Sequence, residues 1–163
     1  MHIRLARNMH TPDDVADIRF GHSISQDQFD YVESLPFAIT GADTRDLTHS
    51  PQRLYAFEEE AAMAYIEYER TDDRVTVAWI ANWGHDFGYS SLDEVLLRHA
   101  LMTWDAAGIQ NVRIDVKLRK KDPTWMYANQ TNMLHRSGFV SRYWSWDDPD
   151  EVVHRMQRKC PDR

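Results

Sequence analysis

Between Arg53 and Trp83 the chain consists of three β-rich runs with almost nothing between them, and this limits its possible folds more than any other feature. LYAFEEEAAMAYIEYER divides into two runs around a polar turn at residues 58–60, and RVTVAWIANW follows directly after Thr71-Asp72-Asp73. Connections this short join only antiparallel neighbours, so three consecutive antiparallel strands are expected. The third run is apolar on both faces apart from Thr76, as befits a strand covered by helices on both sides. It should therefore be central.

The flanking segments alternate between strand and helix patterns. Residues 3–7 alternate apolar and polar side chains like a half-buried strand. Thr11-Pro12-Asp13-Asp14 then offers an N-cap, a first-turn proline and acids at the positive helix end, which predicts a helix to about Phe20. A second helix is expected over residues 25–34, and residues 40–51 have the composition of a surface loop. Beyond the three strands, Ser91-x-x-Glu94 is a capping-box pattern that opens an amphipathic helix through Ala107, with Gly108 as its C′ residue. VRIDV is a short strand, residues 125–137 a helix closed by Gly138, and FVSRYWSW another strand. The tail EVVHRMQR fits two structures, since Asp148-Pro149 can cap a helix and DDPD can turn a hairpin.

Nothing repeats and no Gly/Ser/Pro-rich linker divides the 163 residues, so one domain over 1–163 is expected. A net charge of -7 argues against nucleic acid as a partner, because such domains present a basic face to phosphates. An acidic surface attracts cationic amines, although the same charge also keeps an ordinary domain soluble. No apolar run reaches membrane-spanning length, and MHIRLARN lacks the apolar segment of a secretory leader, so no membrane association and a cytoplasmic location are expected. The lone Cys160 has no partner for an intrachain disulfide. Eight histidines form no defensible metal site: His85 and His99 stand far apart, and no His-x-x-x-His pair occurs.

From Leu54 to Phe139 the order and spacing of these elements resemble the GNAT acyl-CoA N-acyltransferases. LYAFEEEAAMAYIEYE resembles that family's second and third strands. In LLRHALMTWDAAGIQNVRIDV, Leu96 and Leu97 stand before Gly108 as in its main helix, and WMYANQTNMLHRSGF resembles its next helix with the closing Gly138-Phe139. The resemblance implies an α/β (α+β) fold: a mixed, mostly antiparallel, twisted central sheet of six or seven strands, flanked by about four helices. It also implies an N-acyltransferase, in the first instance an N-acetyltransferase, moving an acyl group from acetyl-CoA or another acyl-CoA to an amine of a small molecule or peptide. A monomer or homodimer is expected.

The motif positions depart from the family's. Its phosphate-binding loop carries Arg or Gln, then Gly, then Gly or Ala; here those positions fall on Gly88, Ser91 and Asp93, or in another frame on His85, Gly88 and Ser90. In the first frame, Asp93 and Glu94 put carboxylates where the resemblance implies a pyrophosphate. The leaving-group tyrosine falls on Leu134, and the pantetheine asparagine on Tyr127, with Asn129 two residues on.

Among residues able to take the amine proton, His85 comes first because its ordinary pKa lies near neutrality. Most loop histidines are simply solvated. Glu67 can act through water, although an outward-facing strand acid is its commoner role, and Tyr127 is the substitute acid. Ala81, Trp83, Gly88, Tyr89, Ser90, Ser91 and Asn129 are the positions at which the resemblance implies donor binding. Trp83, Trp125 and Trp144 are candidates for an aromatic pocket suited to a cationic or aromatic amine, against a plain core-filling role. The competing expectation is a GNAT-like domain that has lost CoA binding and serves as a binding or assembly module, or uses another acyl donor such as a carrier-protein thioester.

Overall fold

The computed structural model describes residues 2–6, 15–35, 52–83, 92–120 and 124–158; for residues 2–6, 15, 16, 79 and 125–127 it gives the backbone course alone. In chain order the elements are β1 (His2–Ala6), β2 (Val15–Gly21), α1 (Gln26–Ser34), β3 (Gln52–Glu58), β4 (Ala61–Arg70), β5 (Arg74–Asn82), α2 (Leu92–Ala106), β6 (Asn111–Arg119), α3 (Thr124–Arg136), β7 (Phe139–Asp148) and β8 (Glu151–Arg158). The strands form one sheet in the order β1-β2-β3-β4-β5-β6-β8-β7, antiparallel everywhere except between β5 and β6. The expected three-strand unit is β3-β4-β5, and β5 is central.

One expectation is overturned. Residues 15–21 are a strand, not the end of a helix, and the described sheet gains an eighth strand while three helices are described. Ile18 and Phe20 are buried two residues apart with Asp17 and Arg19 turned away, and β2 is paired on both sides, Ile18 to Ile3 and to Glu58. Two ladders of backbone hydrogen bonds outweigh a local helix-start signal. The signal itself, residues 11–14, lies outside the described residues, as does the expected loop at 40–51. The tail is also settled: Asp148 faces Glu151 across a two-residue turn, and Asp148 Oδ1 accepts the Asp150 amide at 2.8 Å, so DDPD turns a hairpin into β8.

Helix ends follow local chemistry. Ser25 caps α1, its Oγ accepting the Gln28 amide at 3.2 Å. Gly108, at φ +81°, ends α2 in a Schellman motif: its amide bonds Asp105 O, and the Ile109 amide bonds Trp104 O at 2.9 Å. Gly138, at φ +91°, closes α3. A side chain at either glycine would force the left-handed region on a residue that disfavours it.

The core has two parts, one on each face of the sheet. Leu92, Leu96, Leu97, Ala100, Leu101 and Trp104 give α2 a continuous buried stripe, which joins Met133 and Leu134 of α3 over Leu54, Ile66, Val77, Ile114 and Met156. On the opposite face Val32 of α1 covers Tyr55, Phe57, Ala62, Tyr65, Ala81 and Trp83.

Candidate active site

The central pair of strands forms a fork. The β5-β6 ladder runs from Arg74↔Asn111 only to Val77↔Ile114, although β5 continues to Asn82 and β6 to Arg119. Beyond that point β5 stays with β4, and β6 stays with β8 from Asp115↔Arg155 to Arg119↔Glu151. A β-bulge sits at the branch: Glu67 faces Trp79 and Tyr68 faces Val77, so Ala78 is one residue too many for its partner strand. An inserted residue bends and twists its strand, which here turns β5 away from β6. It also resets the side-chain alternation, so that Val75 and Val77 before it and Ile80 after it all face α2. Crevices at the carboxyl ends of parallel strands are where open sheets bind ligands.

From the carboxyl end of β5 the chain reaches α2, whose first turn carries Asp93 and Glu94. Asp93 Oδ1 accepts the Glu94 amide at 2.8 Å, so a helix-end donor is already answered from within the chain. Burial raises the Asp93 carboxyl above its ordinary range. Glu94 behaves oppositely: hydrogen bonding to Arg136 at the end of α3 (3.0 and 3.4 Å), with Arg98 at 3.2 Å, holds it below the ordinary value of 4.5. A depressed carboxyl adds stability that is present above its unfolded pKa and is lost as pH falls through the folded value. Glu94→Gln is therefore expected to lower the melting temperature by a few degrees at pH 7. At pH 3 the variant and the wild type should melt together.

Under α1 lies a network the sequence did not announce. Arg53 on β3 faces Glu67 on β4, and its Nε bonds Glu67 Oε1 at 3.1 Å. Its Nη1 reaches Glu33 on α1 at 2.6 Å and Tyr55 Oη at 3.3 Å, and its guanidinium lies 4.4 Å from the Tyr65 ring centroid. Burial pushes the Tyr65 hydroxyl up to about 12. Glu67, one residue from the bulge on the facing strand, thus has its carboxylate engaged by the Arg53 guanidinium and held in place.

The other candidates divide by location. Ala81 and Trp83 are buried beneath α1; Trp83 Nε1 donates to Ala62 O at 2.9 Å, and its ring meets Tyr65 edge-on at 6.0 Å. Asn129 is exposed on α3, and Leu134, at the tyrosine position, is fully buried. His85, Gly88, Tyr89, Ser90 and Ser91 lie outside the described residues, as do the side chains of Tyr127 and Trp125. The expected aromatic pocket does not bring Trp83 and Trp144 together. Trp83 belongs to the α1 face, whereas Trp144 on β7 stacks on His154 at 3.7 Å and on Trp146 at 5.6 Å, on the face that carries Met156. Among the described residues no group of three His, Cys, Asp or Glu side chains is placed to hold a metal, and no helix is long and apolar enough to cross a membrane.

No family model matches the sequence, and neither does any curated protein. Solved structures do match. The ribosomal-protein-S18-alanine N-acetyltransferase from Escherichia coli superposes with a TM-score of 0.63 at 13% identity, over 90% of this chain and 96% of that one. An acetyltransferase of the GNAT family from Streptococcus pneumoniae gives 0.58 at 14% identity, over 86% and 98%. A Bacillus subtilis acetyltransferase in complex with CoA gives 0.57 at 12% identity, over 87% and 97%. With its strand order and single parallel joint, the architecture is a mixed, mostly antiparallel α+β sheet shared with these structures. The chain has the GNAT fold.

Proposed function

We propose that this protein is an acyl-CoA-dependent N-acyltransferase acting on an amine of a small molecule or peptide. The observation that carries the reading is the fork: a four-residue parallel ladder ending at Val77↔Ile114, with the Ala78 bulge at its apex. A gap of this kind between diverging strands accepts an extended chain such as the pantetheine arm. The solved Bacillus subtilis acetyltransferase with CoA supports an acyl-CoA as donor, and acetyl-CoA is the first to test. In the reaction the amine nitrogen forms the new C–N bond, the thioester C–S bond breaks, and one proton passes from the amine to the departing sulfur. This chain must supply a proton acceptor, which we assign to His85, and strand amides facing the developing oxyanion. Tyr127 is assigned the return of a proton to sulfur. Glu67, engaged by Arg53, is assigned a positioning role.

A second reading has its own observation. Asp93 already occupies the Glu94 amide, and both carboxylates stand at the end of α2 where a pyrophosphate would compete with them. This favours a domain without CoA, either a binding module or one using a less anionic acyl donor. Thermal unfolding with acetyl-CoA separates the two. A saturating ligand at one hundred times its dissociation constant adds about 2.7 kcal/mol. A rise in melting temperature that His85→Ala leaves intact, while acyl transfer to an amine panel falls at least about a hundredfold, supports the first reading. No shift at millimolar acetyl-CoA sinks it.

A further inference from the structure

The sheet face opposite α2 and α3 carries a concentration of arginines that a chain of net charge -7 does not lead one to expect. Register places them together. Arg113 on β6 faces Thr76 on β5, and Arg74 stands two residues before Thr76 on the same face. On the other side Arg113 faces Gln157 of β8, and Arg155 stands two residues before that, opposite Asp115. Arg113 is therefore the centre of a group with Arg74 and Arg155 on its two diagonals, where Cα positions are typically about 7–8 Å apart.

The carboxylates on this face do not balance the group. Asp115 is taken by Arg155 through both oxygens, at 2.8 and 3.1 Å. Glu151 pairs with Arg119 at 3.4 Å, and Glu69 stands opposite Thr76 on β4. Among the described residues no carboxylate lies within ion-pair distance of Arg113 or Arg74. The Arg113 Nε is buried and has no acceptor. Burial first, then Arg155 and Arg74, depress the basicity of Arg113, and Asp115 on the same face opposes them only in part. A fold that needed only structure here would gain by replacing this side chain, since an unanswered buried donor and repulsion between like charges both cost stability.

We propose that Arg74, Arg113 and Arg155 form a binding site for the phosphate group of a small phosphorylated molecule, separate from the fork. A tetrahedral phosphate offers three acceptor oxygens at one point, which suits three arginines at neighbouring positions on adjacent strands. A planar carboxylate satisfies one fork, as Asp115 already does for Arg155. Arg155 keeps further N–H donors beyond the two that Asp115 uses.

The test uses the full chain and inorganic phosphate, with chloride at matched ionic strength as reference. Phosphate is expected to shift the Arg113 Nε–H resonance saturably below about 10 mM and to raise the melting temperature. Arg113→Met should lose the phosphate response while melting no lower than wild type in chloride, because it removes a charge the fold holds at a cost. Arg155→Met, a second variant, should also lose the response. Comparing variant with wild type cancels the general stabilising effect of phosphate on any protein. The proposal is overturned if the wild type shows no saturable response, or if Arg113→Met retains it.

Discussion

Trp83→Ala is expected to unfold at markedly lower urea than the wild type, with a loss of about 3–5 kcal/mol. The indole is 5% exposed and seals the smaller core beneath α1, against Tyr65, Ala81 and Val32. Its removal leaves a cavity and also strips the Ala62 carbonyl of the donor that meets it at 2.9 Å. The backbone amide of Trp83, bonded to Met63 O at 3.0 Å, would remain to hold the end of β5. Trp83→Phe keeps most of the volume and should cost about 1–2 kcal/mol, chiefly for the unanswered carbonyl. Urea titration with an unchanged m-value measures both. A loss under about 1 kcal/mol for the alanine variant would contradict a core-sealing role for this ring.

Asp93→Asn is expected to tighten CoA binding about tenfold, or about 1.4 kcal/mol. Asparagine keeps an oxygen for the Glu94 amide and removes one negative charge from the end of α2. Two unit charges 4 Å apart interact by about 4 kcal/mol at an effective dielectric of 20, and solvent screening at the helix end reduces this to the smaller figure. The variant should also be at least as stable as the wild type at pH 7. Burial raises the folded-state pKa of Asp93, so the proton is held more tightly in the folded protein, and stability from this group falls as pH rises through the window above the ordinary value of 3.8. Below that window the two proteins should converge. Calorimetric titration with CoA and melting curves between pH 3 and 7 give both readouts. If neither protein binds CoA, the donor reading fails, whatever the stability.

What was legible in the sequence was whatever local chemistry decides. The β3-β4-β5 unit showed in its short polar turns, and α2 showed in its apolar stripe and Gly108. The strand at Val15–Gly21 was missed because four residues of helix-start chemistry precede it, while β3, which pairs with it on its inner side, is distant in sequence. The fork was not readable either, because the inserted Ala78 carries no glycine or proline to mark it and shows only against the register of β4. Likewise Arg53 and Glu67, or Asp115 and Arg155, become partners only once strands are aligned. No spacing rule within one strand predicts a neighbour on the next.

The fork has a kinetic consequence. β3, β4 and β5 close through tight turns, and β7 and β8 through a two-residue one, so both units can assemble from contacts between near neighbours. Joining β5 to β6 requires the whole α2 crossover to be in place and yields only four paired residues on each strand. Loop-closure entropy makes such a joint slow to form. The two halves of the sheet should thus meet late in folding, and the seam along which they meet is the cleft itself. Amides of Val75 and Val77 should then lose hydrogen-exchange protection before those at the centre of the β3-β4 ladder.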